Sequence, residues 1–240
     1  MKTNSLRKAA LATIAFSLLL SAAFSAPASA ATPAKRYITV NSDGVVKAVP
    51  DAVRLNATVS VVAGNSKEAL ANTSATSAAV RAALKNAKID AKDIASKSIT
   101  VFPEYNYTQD KGQSLIGYRS SQSFIITIRA AASAGAIVDA VVGAGGDNLQ
   151  VDGVTPFVLD STKAASAARS AAVLNANAKA RSYAKLIGVK LGKVIYLVEN
   201  SAPPSYVPMI GVAKAESGGT VVDLGQQDVT VSITVQWEIK

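Results

Sequence analysis

Two stretches of this chain follow the same order of periodicities, and that order limits the fold. The run Val53, Leu55, Ala57, Val59, Val61 alternates with polar or smaller residues, as in a half-buried strand. Asn65 and Glu68 stand at capping-box spacing, and Leu70, Thr73, Ser77, Val80 and Leu84 then recur at intervals of three and four, one stripe of an amphipathic helix. Two further strands are expected over 99–105 and 117–129. A short helix over 133–142 follows, stopped by the glycines of 143–146. The order then returns: a strand over 151–159, a long Ala-rich helix capped by Asp160 and running to Ile187, a strand over 193–199, and a last alternating strand with Val229, Val231, Ile233, Val235, Trp237 and Ile239. Strand, helix, strand, strand, twice over, predicts an α+β fold: two β-α-β-β units with mainly antiparallel sheet and helices packed on one side. The units are expected at about 52–129 and 150–240.

Local signals fill in the rest. Ser42-Asp43-Gly44 between two apolar runs (37–41 and 45–49) reads as a hairpin turn. The long helix is predicted to bury Ala165, Ala168, Ala172, Ala176, Tyr183 and Ile187; its Ala face suits close packing on a sheet or, as a second reading, against another subunit. Residues 200–227, with Pro203, Pro204, Pro208 and Gly218-Gly219, form a long irregular stretch carrying Tyr206 and Met209, apolar groups that need cover.

The N-terminus reads as an export signal. Lys2, Arg7 and Lys8 precede an uncharged run, Ala9 to Phe24, and Ala28-Ser29-Ala30 suits cleavage after Ala30. The expected mature chain is 31–240, periplasmic or otherwise extracytoplasmic, with no transmembrane segment.

Composition excludes much chemistry. Among 240 residues there is neither cysteine nor histidine. Disulfides, thiolate metal sites, cysteine nucleophiles, Ser-His-Asp hydrolysis and His-based zinc or haem sites are therefore ruled out. The net charge of +9 falls to +6 for residues 31–240, and the basic residues are scattered, so no nucleic-acid partner is expected. Carboxylates are the remaining acid-base groups. Asp90 with Asp93, or Glu104 with Asp110, could serve a hydrolase only at a defined separation across a cleft. Asp147, Asp152 and Asp160 lack calcium-loop spacing, and Gly143-Ala144-Gly145-Gly146 lacks the Lys of a phosphate loop. No catalytic, cofactor or metal residue is assigned.

Six residues stand out as candidate interface or ligand contacts: Pro103, Tyr105, Tyr107, Tyr118, Tyr206 and Met209. Tyrosine offers a rigid apolar body with a polar tip, and Pro103 in a strand marks an edge or a bulge.

An ordered set of short motifs resembles the SIMPL domain family of exported bacterial proteins. It comprises Ile38-Thr39-Val40 leading to Gly44, Val49-Pro50-Asp51-Ala52, Ile89, Asp93-Ile94, Pro103-Glu104-Tyr105-Asn106-Tyr107 and Gly117-Tyr118, then Phe157, Lys179-Ala180, Ala184, Gly188 and Leu191-Gly192. Ser42-Asp43-Gly44 departs from the usual Gly-x-Gly. The resemblance implies repeated β-α-β-β units, ring-like or cylindrical homo-oligomers in some members, a loose tie to envelope stress and oxidant tolerance, and no cofactor. The expected function is a non-enzymatic cell-envelope protein that self-assembles and contributes indirectly to stress tolerance, with an envelope component as a possible partner. The alternative is a monomeric binding module for a small or envelope-derived ligand, using the 200–227 stretch.

Overall fold

The computed structural model describes residues 36–109, 112–200 and 219–240. The segment expected to be an export signal, residues 110–111 with Asp110, and residues 201–218 with Tyr206 and Met209 lie outside them. Seven strands, β1 (Tyr37–Ala48), β2 (Ala52–Ala63), β3 (Ile94–Thr108), β4 (Gly112–Ile128), β5 (Leu149–Phe157), β6 (Leu191–Glu199) and β7 (Gln227–Ile239), alternate with three α-helices, α1 (Ser66–Asn86), α2 (Ala134–Gly145) and α3 (Thr162–Leu186). They form a four-stranded sheet, β3-β4-β2-β5, and a three-stranded sheet, β1-β7-β6. The α+β class holds, with antiparallel pairing of β2 to β4 and β5, of β3 to β4, and of β6 to β7.

The strand expected to open the second unit behaves differently. β5 pairs with β2 in the first sheet, Val53 opposite Pro156 and Leu55 opposite Val154. Its place beside β7 is taken by β1. Side-chain bonds from Ser232 to Asp43 and between Thr234 and Asn41, with an ion pair from Lys47 to Asp228, advance along β1 as they retreat along β7, which is an antiparallel register. The two units thus correspond in space: β2, α1, β3 and β4 in one, β1, α3, β6 and β7 in the other. Local pattern alone could not reveal this, because β1 and β5 are equally strand-like and only sheet pairing decides between them.

In the first unit, Val53, Leu55 and Val59 of β2 and Phe124, Ile126 and Ile128 of β4 pack against Val80 and Leu84 of α1 and Ile137, Val138 and Val141 of α2. Asn65 caps α1 as its spacing predicts: its side-chain oxygen accepts from Glu68 N at 2.9 Å. The buried stripe is Ala69, Thr73, Ser77, Val80 and Leu84. Leu70, expected inside, is exposed, and Ala69 is buried in its place.

In the second unit, α3 buries an alanine every fourth residue, Ala168, Ala172, Ala176, Ala180 and Ala184, the first four of them clustered with Val40, Val231, Ile233, Val235 and Trp237. This face is used within the chain, so it is not a free subunit contact. Tyr183 and Ile187 lie outside the stripe and are exposed. The expected hairpin at Ser42-Asp43-Gly44 is absent; β1 runs straight through it. Gly44 serves packing instead, since a Cβ there would lie 1.9 Å from the Ala168 carbonyl oxygen and 2.4 Å from Ala172 N. On the free edge of β1, Lys179 Nζ and Asn175 Nδ2 donate to the carbonyls of Asn41 and Asp43.

Polar side-chain bonds fix the segments that connect these elements. Asp51 Oδ1 accepts from Leu159 N at 2.8 Å, and Gln227 Nε2 donates to the Pro156 carbonyl at 2.6 Å. Thr220 is tied to Asp139 of α2 through both its amide and its hydroxyl.

Candidate functional site: an exposed aromatic ribbon

β3 and β4 outrun the rest of their sheet. β2 ends at Ala63, opposite Tyr118, while β3 and β4 continue pairing to Thr108 and Gly112. The last five paired positions of β3, Glu104 to Thr108, therefore form a two-stranded ribbon with no third strand among the described residues. Such a ribbon is marginal alone and needs packing on at least one face.

Four of the six candidate residues lie along this ribbon and its base. Pro103 sits opposite Tyr118, Tyr105 opposite Leu115, and Tyr107 opposite Gln113. Directly opposed residues share a face, and alternate residues of an unbulged strand share one too. The register shift between Glu104 and Tyr105 inserts the extra residue, Ile116, on β4, so β3 keeps its alternation. Ile99, Val101, Pro103, Tyr105 and Tyr107 consequently line one face with Leu115 and Tyr118. Tyr107 is 80% exposed, and Tyr105, Leu115 and Ile116 are each exposed by half or more. Tyr118 is half-buried at the base.

The opposite face carries an ion pair. Arg119 Nη2 donates to Glu104 Oε1 at 2.7 Å, Arg119 Nε donates to Glu104 Oε2, and Arg119 Nη1 reaches Ser60 Oγ. The guanidinium hydrogen bonds hold the Glu104 carboxyl below its usual range. The tyrosines thus lie on one face and the ion pair on the other, where exposed Phe102 stands opposite Arg119. As expected from Pro103, β3 is an edge strand. Proline has no N–H to offer an incoming strand, so the edge is blunted there.

A second exposed apolar surface was not singled out from the sequence. β6 is the other sheet's edge, and Val194, Ile195, Tyr196 and Leu197 are all exposed on it. The signal was the unbroken apolar run Val194–Val198, which reads equally well as an interior strand.

Asp90 and Asp93 are each engaged with a cation, and Asp110, expected beside Glu104, lies outside the described residues. Asp93 is held by Arg129 through two hydrogen bonds of 2.7 and 2.8 Å, which keep its carboxyl below the ordinary range, and Asp90 meets Lys92 at 3.2 Å. A general acid requires the opposite shift, upward. Asp51 is spent on Leu159 N and Asp160 on Thr162 N, the latter bonds depressing its carboxyl. Among the described residues no three acidic side chains gather to hold a metal, and no helix is long and apolar enough to cross a membrane.

The sequence model of SIMPL, described as a protein of unknown function (DUF541), matches residues 38–237. The chain belongs to the SIMPL family. It is similar to the 26 kDa periplasmic immunogenic proteins of Brucella melitensis and Brucella abortus, each 32% identical over 238 residues that cover 93% of this chain and 94% of the relative. It is also 29% identical over 184 residues to the Escherichia coli protein YggE, called uncharacterized, covering 75% of this chain and 72% of that one.

Proposed function

We propose that this protein is exported to the periplasm or an equivalent extracytoplasmic space and acts there as a non-enzymatic, self-assembling component of the cell envelope. The observation that carries this reading is the ribbon: Tyr105, Tyr107 and Leu115 stand exposed on one face of a two-stranded extension, with no cover from the other described residues. Each tyrosine presents roughly 150–250 Å² of rigid surface, and burying such groups dominates interface energetics. The exposed β6 edge offers a second surface, so one copy can contact two neighbours, as a closed ring requires. Export is supported by the leader-like residues 1–30 and by the printed names of the Brucella relatives, which are periplasmic.

A role in envelope or oxidative stress tolerance follows indirectly, through assembly. Direct peroxide chemistry is disfavoured: the chain has no cysteine, and Met209 is the one methionine after residue 30. Paired, deprotonated carboxylates support the non-enzymatic reading.

The test is the native mass of residues 31–240 by light scattering on a sizing column, across a wide concentration range. A discrete multiple of the chain mass is the expected result. A monomer at every concentration would overturn assembly and leave the monomeric binding module as the reading to pursue.

A further inference from the structure

The two units end their long helices in the same way with different residues. At the end of α1, Lys88 N donates to the Lys85 carbonyl and Ile89 N to that of Leu84; at the end of α3, Gly188 N donates to Lys185 and Val189 N to Ala184. Both turns need a left-handed residue. The second unit uses Gly188 at φ +72°, whereas the first uses Lys88 at φ +63°, the one left-handed non-glycine residue in the described chain. A side chain held in that conformation costs stability, and such strain points to a local task.

Lys88 lines a cavity of about 680 Å³ together with Arg81, Lys85, Ile89, Asp90, Ala91 and Ile94. Arg81 is fixed above it, its guanidinium 4.9 Å from the centre of the buried Phe124 ring and Nη2 donating to Ser96 Oγ. The nearby acids are already engaged, Asp90 with Lys92 and Asp93 with Arg129. Three cations therefore face a cleft whose floor is the half-buried Ile89 and Ile94. The size is that of a small-ligand site. Arg81 and Lys85 recur as Arg181 and Lys185 in the other unit, so Lys88 is what sets this cleft apart.

We propose that this cleft binds an amphiphilic anion, with a phosphate or carboxylate head among Arg81, Lys85 and Lys88 and an apolar body against Ile89, Ala91 and Ile94. The site is separate from the ribbon and does not depend on assembly. The test is titration calorimetry on residues 31–240 with octyl phosphate below its micelle concentration, against octyl glucoside and inorganic phosphate. The variants are K85Q/K88N and, as an equal-charge control elsewhere, K67Q/K163Q. Asn tolerates the left-handed conformation, so the first pair keeps the turn.

Octyl phosphate is expected to bind more tightly than either comparison compound, to weaken with added salt, and to lose about tenfold or more affinity in K85Q/K88N but not in the control. Equal binding of octyl glucoside, equal binding of inorganic phosphate, or the same loss in both variants would overturn the proposal. Flotation with phosphatidylcholine vesicles containing phosphatidylglycerol identifies the source. Lys88-dependent flotation assigns the head to a membrane lipid; octyl phosphate binding without flotation assigns a free amphiphile. A K88G variant that is more heat-stable yet binds less would separate the site from folding.

Discussion

Gly44→Ala is the sharpest test of how the second unit is packed. The added Cβ would sit 1.9 Å from the Ala168 carbonyl oxygen and 2.4 Å from Ala172 N, both backbone atoms of α3, where ordinary contact begins near 3.4 Å. No rotamer change can relieve this. The helix must withdraw by about 1.5 Å, and a gap of even 0.5–1 Å forfeits a quarter to a half of each dispersion contact it opens. Those contacts include Val40, Val231, Ile233, Val235 and Trp237 beneath the alanine row. Overpacking alone costs about 1–3 kcal/mol; with the opened contacts, about 3 kcal/mol or more is expected. For a chain of this size that lowers Tm by roughly 6–12 °C. Urea titration and thermal melting of G44A would measure it, with G64A as a control because a Cβ at Gly64 meets nothing within 4 Å. A G44A variant within about 0.5 kcal/mol of the parent would refute close helix–sheet approach as the reason for this glycine.

Three other outcomes follow from the same structure. K88G should raise stability by about 1 kcal/mol, or roughly 2–4 °C in Tm, by relieving the left-handed lysine; no gain would mean the turn is unstrained. N65A should cost about 1 kcal/mol in a urea titration by removing the acceptor for Glu68 N, and an unchanged midpoint would count against that cap. The carboxyls of Asp93 and Glu104 titrate below their ordinary values because Arg129 and Arg119 donate to them. Their contribution is therefore complete above the unfolded carboxylate range, near pH 4, and is lost as pH falls through the lower folded values. Melting from pH 7 to 3 should show a flat limb and then an acid fall that is shallower in D93N/E104Q; identical limbs would exclude these pairs as its source.

What could be read from the sequence was whatever short-range periodicity determines. Asn65 with Glu68 marked the start of α1, and the alternation from Val229 to Trp237 gave the core face of β7. Non-local features escaped. Gly44 read as a turn because its neighbours are turn formers; its true constraint is a helix more than a hundred residues away in sequence. Tyr183 and Ile187 read as core on the α3 stripe, yet the buried row recurs strictly every four residues through Ala180 and Ala184 and leaves both outside it. Pro103 and the tyrosines were visible as a cluster because they are adjacent in sequence. That Leu115 joins them on the face that Tyr118 also occupies depends on a bulge at Ile116, which only the pairing register exposes. The Lys88 cleft gave no sequence signal, since a lysine at a helix end is ordinary until its backbone conformation is known.

The central claim is that the aromatic face of the β3–β4 ribbon holds copies together. The direct measurement is sedimentation velocity of residues 31–240 beside a Y105S/Y107S/L115S variant, with circular dichroism to verify an unchanged fold. All three side chains are exposed, so the fold should survive. The parent is expected to sediment as a discrete assembly and the variant as a much smaller species. A variant that stays folded and sediments identically to the parent would contradict the claim.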